Sequence, residues 1–283
     1  MKGKITMIKV GFIDYYLDEW HANSYPDLIK KCSDGRYEVC YAYAKIDSPI
    51  GGMTSKEWSK KYNIPLVDTI DELIEKSDRI IVLSPDNPEM HEELTEKALQ
   101  SGKLVYVDKT FAPDKETAIR IFENAKAHNT KCFSSSALRF STEFKDVDKS
   151  AIDAIYCEST GYYDVYLIHQ IEPIVCLMEE RAKRVMYTGD GFHHSAIIEF
   201  VDGRRAMLHF YYEIPFRFTF VDNEHKAKHI EIESDFFELF IHALIKFFDT
   251  GEIPVPYEQT IDVIGIRAAL MDALEKPFEW IEI

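Results

Sequence analysis

The side chains able to do chemistry gather in a few short stretches. The first is Gly11-Phe12-Ile13-Asp14-Tyr15-Tyr16-Leu17-Asp18-Glu19. A dinucleotide-binding turn needs G-x-G-x-x-G at this point, because glycines let the backbone approach a pyrophosphate at a helix N-terminus. Only Gly11 is present, and it falls inside the strand. Asp14, Tyr16 and Glu19 stand where glycines belong. Bulky side chains block close approach, and the carboxylates of Asp14, Asp18 and Glu19 repel phosphate. The acid that would hold a ribose after the second strand is absent as well. That strand ends Tyr43-Ala44-Lys45, so Ala44 takes the acid's place, and Lys45 is open to a 2′-phosphate or to solvent.

Four later stretches are richer. They are Ser84-Pro85-Asp86-Asn87-Pro88-Glu89-Met90-His91, Asp108-Lys109-Thr110-Phe111, Ser135-Ser136-Ala137-Leu138-Arg139-Phe140-Ser141 and Ile168-His169-Gln170-Ile171-Glu172. Lys109 follows an apolar strand and is a site candidate; the plainer reading is a surface lysine paired with Asp108 or Asp114. His169 sits in an otherwise apolar helix, where it is either an acid–base group or a hydrogen-bonded core histidine. His91 opens a helix, so packing competes with a ligand contact. His193 and His194 are adjacent and point apart in either a strand or a helix, and no metal site is expected.

Positioning these residues requires a defined set of elements. Strand-like runs at Met7–Ile13, Tyr37–Ala44, Arg79–Leu83, Lys103–Val107 and Lys131–Ser134 alternate with helix-like segments at His21–Lys31, Thr54–Tyr62, Asp71–Lys76, Pro88–Ser101 and Asp114–His128. Thr69 caps the third of these helices, with Glu72 placed as in a capping box. Short, continuously apolar strands alternating with helices predict a parallel sheet covered on both faces. Ligands of such sheets sit beyond the carboxyl ends of the strands, after Ile13, Ala44, Leu83, Val107 and Ser134. The pattern then changes. Ala151–Gly161 reads as a strand and Val165–Glu179 as a helix. Arg184–Thr188, Ser195–Val201, Arg204–Tyr212, Arg217–Val221 and His229–Ile232 read as successive strands, with an Asp202-Gly203 hairpin signal. Helices at Asp235–Phe248 and Ile261–Glu275 and a strand at Phe278–Ile283 close the chain. The fold class is therefore α/β, a Rossmann-like parallel sheet over 1–145 followed by an α/β domain on a mostly antiparallel open sheet over 146–283.

Composition narrows the function classes. The 283 residues are 46% hydrophobic and 29% charged, ordinary for a globular chain, and the net charge of −16 disfavours a nucleic-acid partner. The five cysteines, Cys32, Cys40, Cys132, Cys157 and Cys176, are odd in number and form no C-x-x-C, so a reducing, cytoplasmic setting is expected rather than a disulfide framework. Met1–Lys9 has no long apolar run, and no stretch approaches a membrane span.

Taken in order, the four later stretches resemble the glucose–fructose oxidoreductase/inositol dehydrogenase/rhizopine catabolism (Gfo/Idh/MocA) family. Ser84-Pro85-Asp86-Asn87 with His91 looks like the family's T-P-N followed by H. Gly102 through Lys109 looks like G-K-h-V-x-x-E-K-P, where h is apolar, with Asp108 for Glu and Thr110 for Pro. Arg139-Phe140 matches an R-F-x-P-like segment. His169-Gln170-Ile171-Glu172 matches part of D-x-G-x-H-x-x-D. The resemblance implies a Rossmann-like domain, a second domain on a large open sheet, and hydride transfer between NAD or NADP and a hydroxyl or carbonyl of a sugar, cyclitol or similar small polyol. Lys109 and His169 would be catalytic, with Asp164 one residue from the position of the family's preceding Asp. The cofactor-facing set would be Ile13, Asp14, Tyr16, Lys45, Ser84, Pro85, Asn87, His91 and Asp108. Arg139 and Glu172 would contact substrate.

Two functions of different class remain open on the sequence. One is this oxidoreductase. The other is a divergent relative without dinucleotide chemistry, a small-molecule-binding, regulatory or partner subunit, motivated by Asp14, Tyr16, Glu19 and Ala44. The aromatic strands Leu208–Tyr212 and Phe216–Phe220 suit a homodimer or homotetramer built through the second sheet.

Overall fold

The computed structural model describes residues 7–283. The stretch 1–6, part of the N-terminal segment expected to carry no leader, lies outside the described residues. In chain order the first elements are β1 (Ile8–Asp14), α1 (Trp20–Cys32), β2 (Tyr37–Ala44), α2 (Ser55–Tyr62), α3 (Ile70–Lys76), β3 (Arg79–Val82), α4 (His91–Gln100), β4 (Val105–Val107), α5 (Lys115–Ala127) and β5 (Cys132–Phe133). They are followed by β6 (Ile152–Thr160), α6 (Tyr163–Met178), β7 (Ala182–Tyr187), β8 (Ser195–Phe200), β9 (Arg205–Tyr211), β10 (Arg217–Asp222), β11 (Ala227–Glu231), α7 (Phe236–Thr250), α8 (Tyr257–Asp272) and β12 (Ile281–Glu282).

The chain divides into two units. One holds 1–112, 116–135 and 238–257; the other holds 113–115, 136–237 and 258–283.

The first unit is built on a five-stranded parallel sheet in the order β2-β1-β3-β4-β5. The centres of its strands are apolar, and Val10, Phe12, Ile13, Ile80, Ile81, Val82, Val105 and Val107 are all fully shielded from solvent, as expected when helices cover both faces. Gly11 has a packing reason to be glycine. A β-carbon there would lie 2.4 Å from Ser77 Oγ and 2.7 Å from Leu73 Cδ2, so its absence lets α3 close onto β1.

Helix starts follow the expected chemistry in part. At α2, Thr54 accepts from the Glu57 N–H while Glu57 accepts from the Thr54 N–H, a complete capping box. At α3, Thr69 accepts from the Glu72 N–H, but the Glu72 carboxylate reaches back to the Asp68 N–H instead, so the box expected there is only half formed. The segment read as one helix from Pro88 begins with a 3-10 turn, Pro88–Met90, before α4 starts at His91.

Helix α7 belongs largely to this first unit. Phe240 packs on Tyr25 and Tyr106, Phe247 on Phe133, and Phe248 on Tyr37. Asp249 receives a fork of two hydrogen bonds from Arg36 at 2.9 and 3.0 Å and a third from the Tyr37 hydroxyl at 2.7 Å.

The second unit is a seven-stranded sheet in the order β11-β10-β6-β9-β8-β7-β12. Every pairing is antiparallel except β6 with β9. The Asp202-Gly203 hairpin forms between β8 and β9, with Gly203 at φ +91° and Asp202 accepting from the Arg204 N–H. Ile155, Cys157, Leu208, Ala196, Ile198 and Val185 bury one face. Met186, Ile197, Met207, Tyr156 and Thr219 form a register-matched row across the other. Among the described residues no helix is long and apolar enough to cross a membrane.

Candidate active site

In the first unit, the turn from β1 into α1 is organised around a carboxylate. Glu19 has extended backbone and caps α1, its side chain accepting from the His21 N–H at 2.6 Å and from the Ala22 N–H. These are the donors that a helix N-terminus offers to an anion. Asp18 is also committed to the fold, accepting from the Met53 N–H at 2.7 Å and from Asn23 Nδ2 at 3.1 Å. Tyr16 is buried where a glycine would leave a cradle. Ile13 is fully buried in β1. Lys45, open on the sequence to a phosphate, forms a surface ion pair with Glu93 at 2.5 Å. A dinucleotide pyrophosphate therefore does not fit this turn: its helix donors are bound by Glu19 and its cradle is filled.

Behind the turn lies a group the sequence does not bring together. Asp14 at the end of β1, Glu19, His21 in the first turn of α1 and Asp108 after β4 are each less than a tenth exposed. His21 Nδ1 lies 3.1 Å from Glu19 Oε2 and 3.5 Å from Asp108 Oδ2. The other oxygen of Asp108 accepts from the Tyr106 hydroxyl at 2.9 Å. Neither Asp14 oxygen has a donor in hydrogen-bonding geometry. Burial first, and then the Glu19 charge, push the Asp14 carboxyl well above its ordinary range; the neighbouring N–H groups of Tyr15 and Tyr16 offset this only in part, and Asp108 adds to the rise.

Lys109 follows Asp108 at the carboxyl end of β4. Its side chain is a tenth exposed, and its carboxylate neighbour is Asp86, 4.0 Å away and itself half exposed. The Asp108 or Asp114 partner of the plainer reading is thus replaced by a loose contact with the turn after β3. That turn is tightly shaped. Ser84 is buried at φ +94°, and its hydroxyl donates to Asn87 O at 3.1 Å. Pro85 accepts from the Thr110 N–H at 3.4 Å, and Asn87 Nδ2 donates to Glu89. His91 is fully buried beneath it, with Nε2 2.7 Å from Leu83 O and Nδ1 3.1 Å from Phe111 O. Its ring holds the ends of β3 and of the Lys109 loop, so both of its nitrogens serve the fold.

In the second unit, His169 lies on α6 with Nδ1 2.7 Å from Ser136 Oγ and its ring edge-on to Tyr166 and Phe216. Ser136 is the orienting partner that the sequence did not single out. Asp164 is exposed at the start of α6, where it accepts from the Val165 N–H. Five residues, roughly 140° around a helix, separate it from His169, and the two are not brought together. Arg139 and Glu172, read as substrate contacts, bind one another at 3.1 Å with side chains 8% and 3% exposed; Arg139 also donates to Gln259 Oε1. On α6, Gln170 donates to Ser159 Oγ and to His209 O, a buried pairing that ties the helix to β6 and β9.

Comparison with known proteins places this geometry in context. Residues 50–136 match the Gfo/Idh/MocA model, described as an oxidoreductase family with an NAD-binding Rossmann fold. The match starts beyond the β1–α1 turn. No curated protein matches the sequence. Among solved structures, a probable dehydrogenase from Thermotoga maritima is 15% identical with a TM-score of 0.78, over 97% of this chain and 98% of its own. The myo-inositol dehydrogenase of Lactobacillus casei, in complex with NAD(H) and myo-inositol, is 13% identical with a TM-score of 0.78, over 98% and 97%. GenD2 from gentamicin A biosynthesis, in complex with NAD, is 11% identical with a TM-score of 0.77, over 98% and 97%. Residues 50–136 are thus similar to the Gfo/Idh/MocA oxidoreductase family, and the chain shares the fold of these dehydrogenases over nearly its whole length.

Proposed function

We propose that this protein acts on a hydroxyl or carbonyl of a small polyol, a sugar or a cyclitol, as an oxidoreductase of its family. The observation that carries this reading is Lys109. An ammonium group on a nearly buried side chain, at the carboxyl edge of a parallel sheet, with one loose carboxylate neighbour, is placed to donate to a substrate oxygen and polarise it. His169, its ring oriented by Ser136, is the second acid–base candidate. Asp164 is left out because it faces solvent. Arg139 and Glu172 are held in their mutual buried pair rather than offered to substrate. In this family the hydride partner is NAD or NADP; because the β1–α1 turn does not fit a pyrophosphate, no step is assigned to a dinucleotide.

The capped α1 terminus favours a second reading, in which the chain binds a small polyol without dinucleotide chemistry, as a regulatory or partner subunit. One experiment separates the two. The protein is titrated with NADH and NADPH by calorimetry and then assayed with a panel of sugars and cyclitols. Cofactor binding with polyol-dependent turnover that Lys109→Ala abolishes, while cofactor affinity holds, supports the oxidoreductase. Absence of cofactor binding at about millimolar concentration, a free energy near −4 kcal/mol, supports the second reading and overturns the first.

We further propose a homodimer or homotetramer through the open face of the second sheet, on the row Met186, Ile197, Met207 and Tyr156. A monomer by light scattering at micromolar concentration rejects it.

A further inference from the structure

Cys32 closes α1, and Glu238 and His242 stand one turn apart on α7. Residues four apart share one face of a helix, so α7 presents a carboxylate and an imidazole together. All three residues belong to the first unit. Aromatic packing fixes where they meet. Phe240 and Ile241, between the two α7 residues, are fully buried, and the Phe240 ring lies 6.0 Å from that of Tyr25 on α1. Lys31, beside Cys32, pairs with Glu238 Oε2 at 2.5 Å and joins the same two helices.

The ligand atoms of Cys32, Glu238 and His242 all lie within 4.8 Å of one another, and among the described residues no other three histidine, cysteine or acidic side chains come that close. Glu238 Oε1 is 3.9 Å from His242 Nε2, too long for a hydrogen bond, so their approach is not explained by a bond between them. Around a tetrahedral zinc ion, with bonds of about 2.0–2.3 Å, ligand atoms stand roughly 3.3–3.6 Å apart. An ion would draw the three groups in by about 1 Å. The His242 side chain is 53% exposed and has room to turn. The donor set also selects the ion. A thiolate and an imidazole exclude Mg²⁺ and Ca²⁺, and a thiolate, an imidazole and one carboxylate suit Zn²⁺. The carbonyl end of α1 adds partial negative charge that favours a cation.

We propose that Cys32, Glu238 and His242 form a three-residue zinc site that fastens the end of α1 to the amino-terminal half of α7, with water in the fourth position. Binding releases the Cys32 thiol proton to solvent and forms a thiolate–zinc bond. The two positive charges of the ion balance the thiolate and the carboxylate. Glu238 Oε1 serves the ion while Oε2 keeps Lys31. The site shares no residue with the polyol chemistry proposed above, and its test does not depend on turnover.

The test uses the full chain, stripped with a chelator, dialysed under a non-thiol reductant and titrated with Co²⁺ and then Zn²⁺. The expected result is one equivalent of Co²⁺ with a thiolate-to-metal charge-transfer band in the near ultraviolet, displaced by Zn²⁺, and a melting temperature that rises with Zn²⁺. Zn²⁺ should also slow alkylation of Cys32, read by mass spectrometry, and leave Cys176 unchanged. Cys32→Ser should remove the band. His242→Ala should weaken binding by at least about tenfold, and serves if Cys32→Ser fails to fold, because the imidazole is half exposed. No stoichiometric binding of either ion, a charge-transfer band that survives Cys32→Ser, or unchanged affinity in His242→Ala would overturn the proposal.

Discussion

Arg139 and Glu172 hold one another at 3.1 Å with both side chains almost fully removed from water. Breaking a buried pair from one side leaves an uncompensated charge, which costs about 3–5 kcal/mol, whereas replacing both partners with apolar groups of similar volume is often near neutral. Glu172→Gln is therefore expected to lower the midpoint of urea unfolding strongly, and Arg139→Met with Glu172→Leu to recover most of the loss. If the single and double variants unfold alike, the pair is not what stabilises α6.

Glu19 is expected to act as a helix cap. Glu19→Ala removes the acceptor for the His21 and Ala22 N–H groups and should destabilise the protein by about 1 kcal/mol. At this chain length that is a fall in melting temperature of a few degrees. Glu19→Asn, which restores a capping oxygen, should recover part of it. Equal melting temperatures for wild type and Glu19→Ala would show that α1 does not rely on this carboxylate.

His91 gives a pH dependence with a defined sign. Burial holds its imidazole below the ordinary value of 6.5, against the raising influence of the Leu83 and Phe111 carbonyls and the Asp108 charge. The native state therefore prefers the neutral ring. The stability that follows is present above pH 6.5 and is lost as pH falls through the depressed native value, because the unfolded chain then binds the extra proton first. Melting temperatures measured between pH 7.5 and 5, an interval of about this size, should decline in the wild type. They should decline less in His91→Gln. Parallel slopes would reject the assignment.

Cysteine accessibility offers a chemical check. Burial pushes the Cys132 thiol up to about 12, only partly offset by the Tyr257 hydroxyl, and pushes Cys157 well above its ordinary value. Both should resist iodoacetamide at pH 8 in the native protein, since the thiolate is the nucleophile, while partly exposed Cys176 reacts. Mass spectrometry of the alkylated peptides settles it. Labelling of Cys132 or Cys157 at the rate of Cys176 would mean that these sites open readily.

Much of the architecture was legible because each unit repeats one simple signal. β2 was readable at both ends, since its apolar run stops cleanly at Arg36 and Lys45. The alternation of strands and helices gives the parallel sheet directly, and the Asp202-Gly203 dipeptide marks a true hairpin. The site was legible only in part. Lys109 and His169 stand out by residue type and position. Glu19 stood out as a charge in the wrong place for phosphate, but its capping role did not, because glutamate is not among the usual capping residues. The meeting of His21 with Asp108 depends on β1, β3 and β4 lying side by side, information no local pattern carries. The same holds for Arg139 with Glu172: each has a motif, and nothing in either motif says that they neutralise one another.

The packing of α7 on the parallel sheet has a consequence for the way the chain is made. Tyr25, Tyr37, Tyr106 and Phe133 are covered by Phe240, Phe247 and Phe248, which emerge from the ribosome only after six of the seven strands of the open sheet, β6 to β11, have been synthesised. The Rossmann-like half thus cannot finish folding as a nascent amino-terminal piece. It must wait, with that aromatic surface uncovered, for roughly ten seconds at ordinary elongation rates, an interval in which a chaperone that shields apolar surface would have its natural substrate.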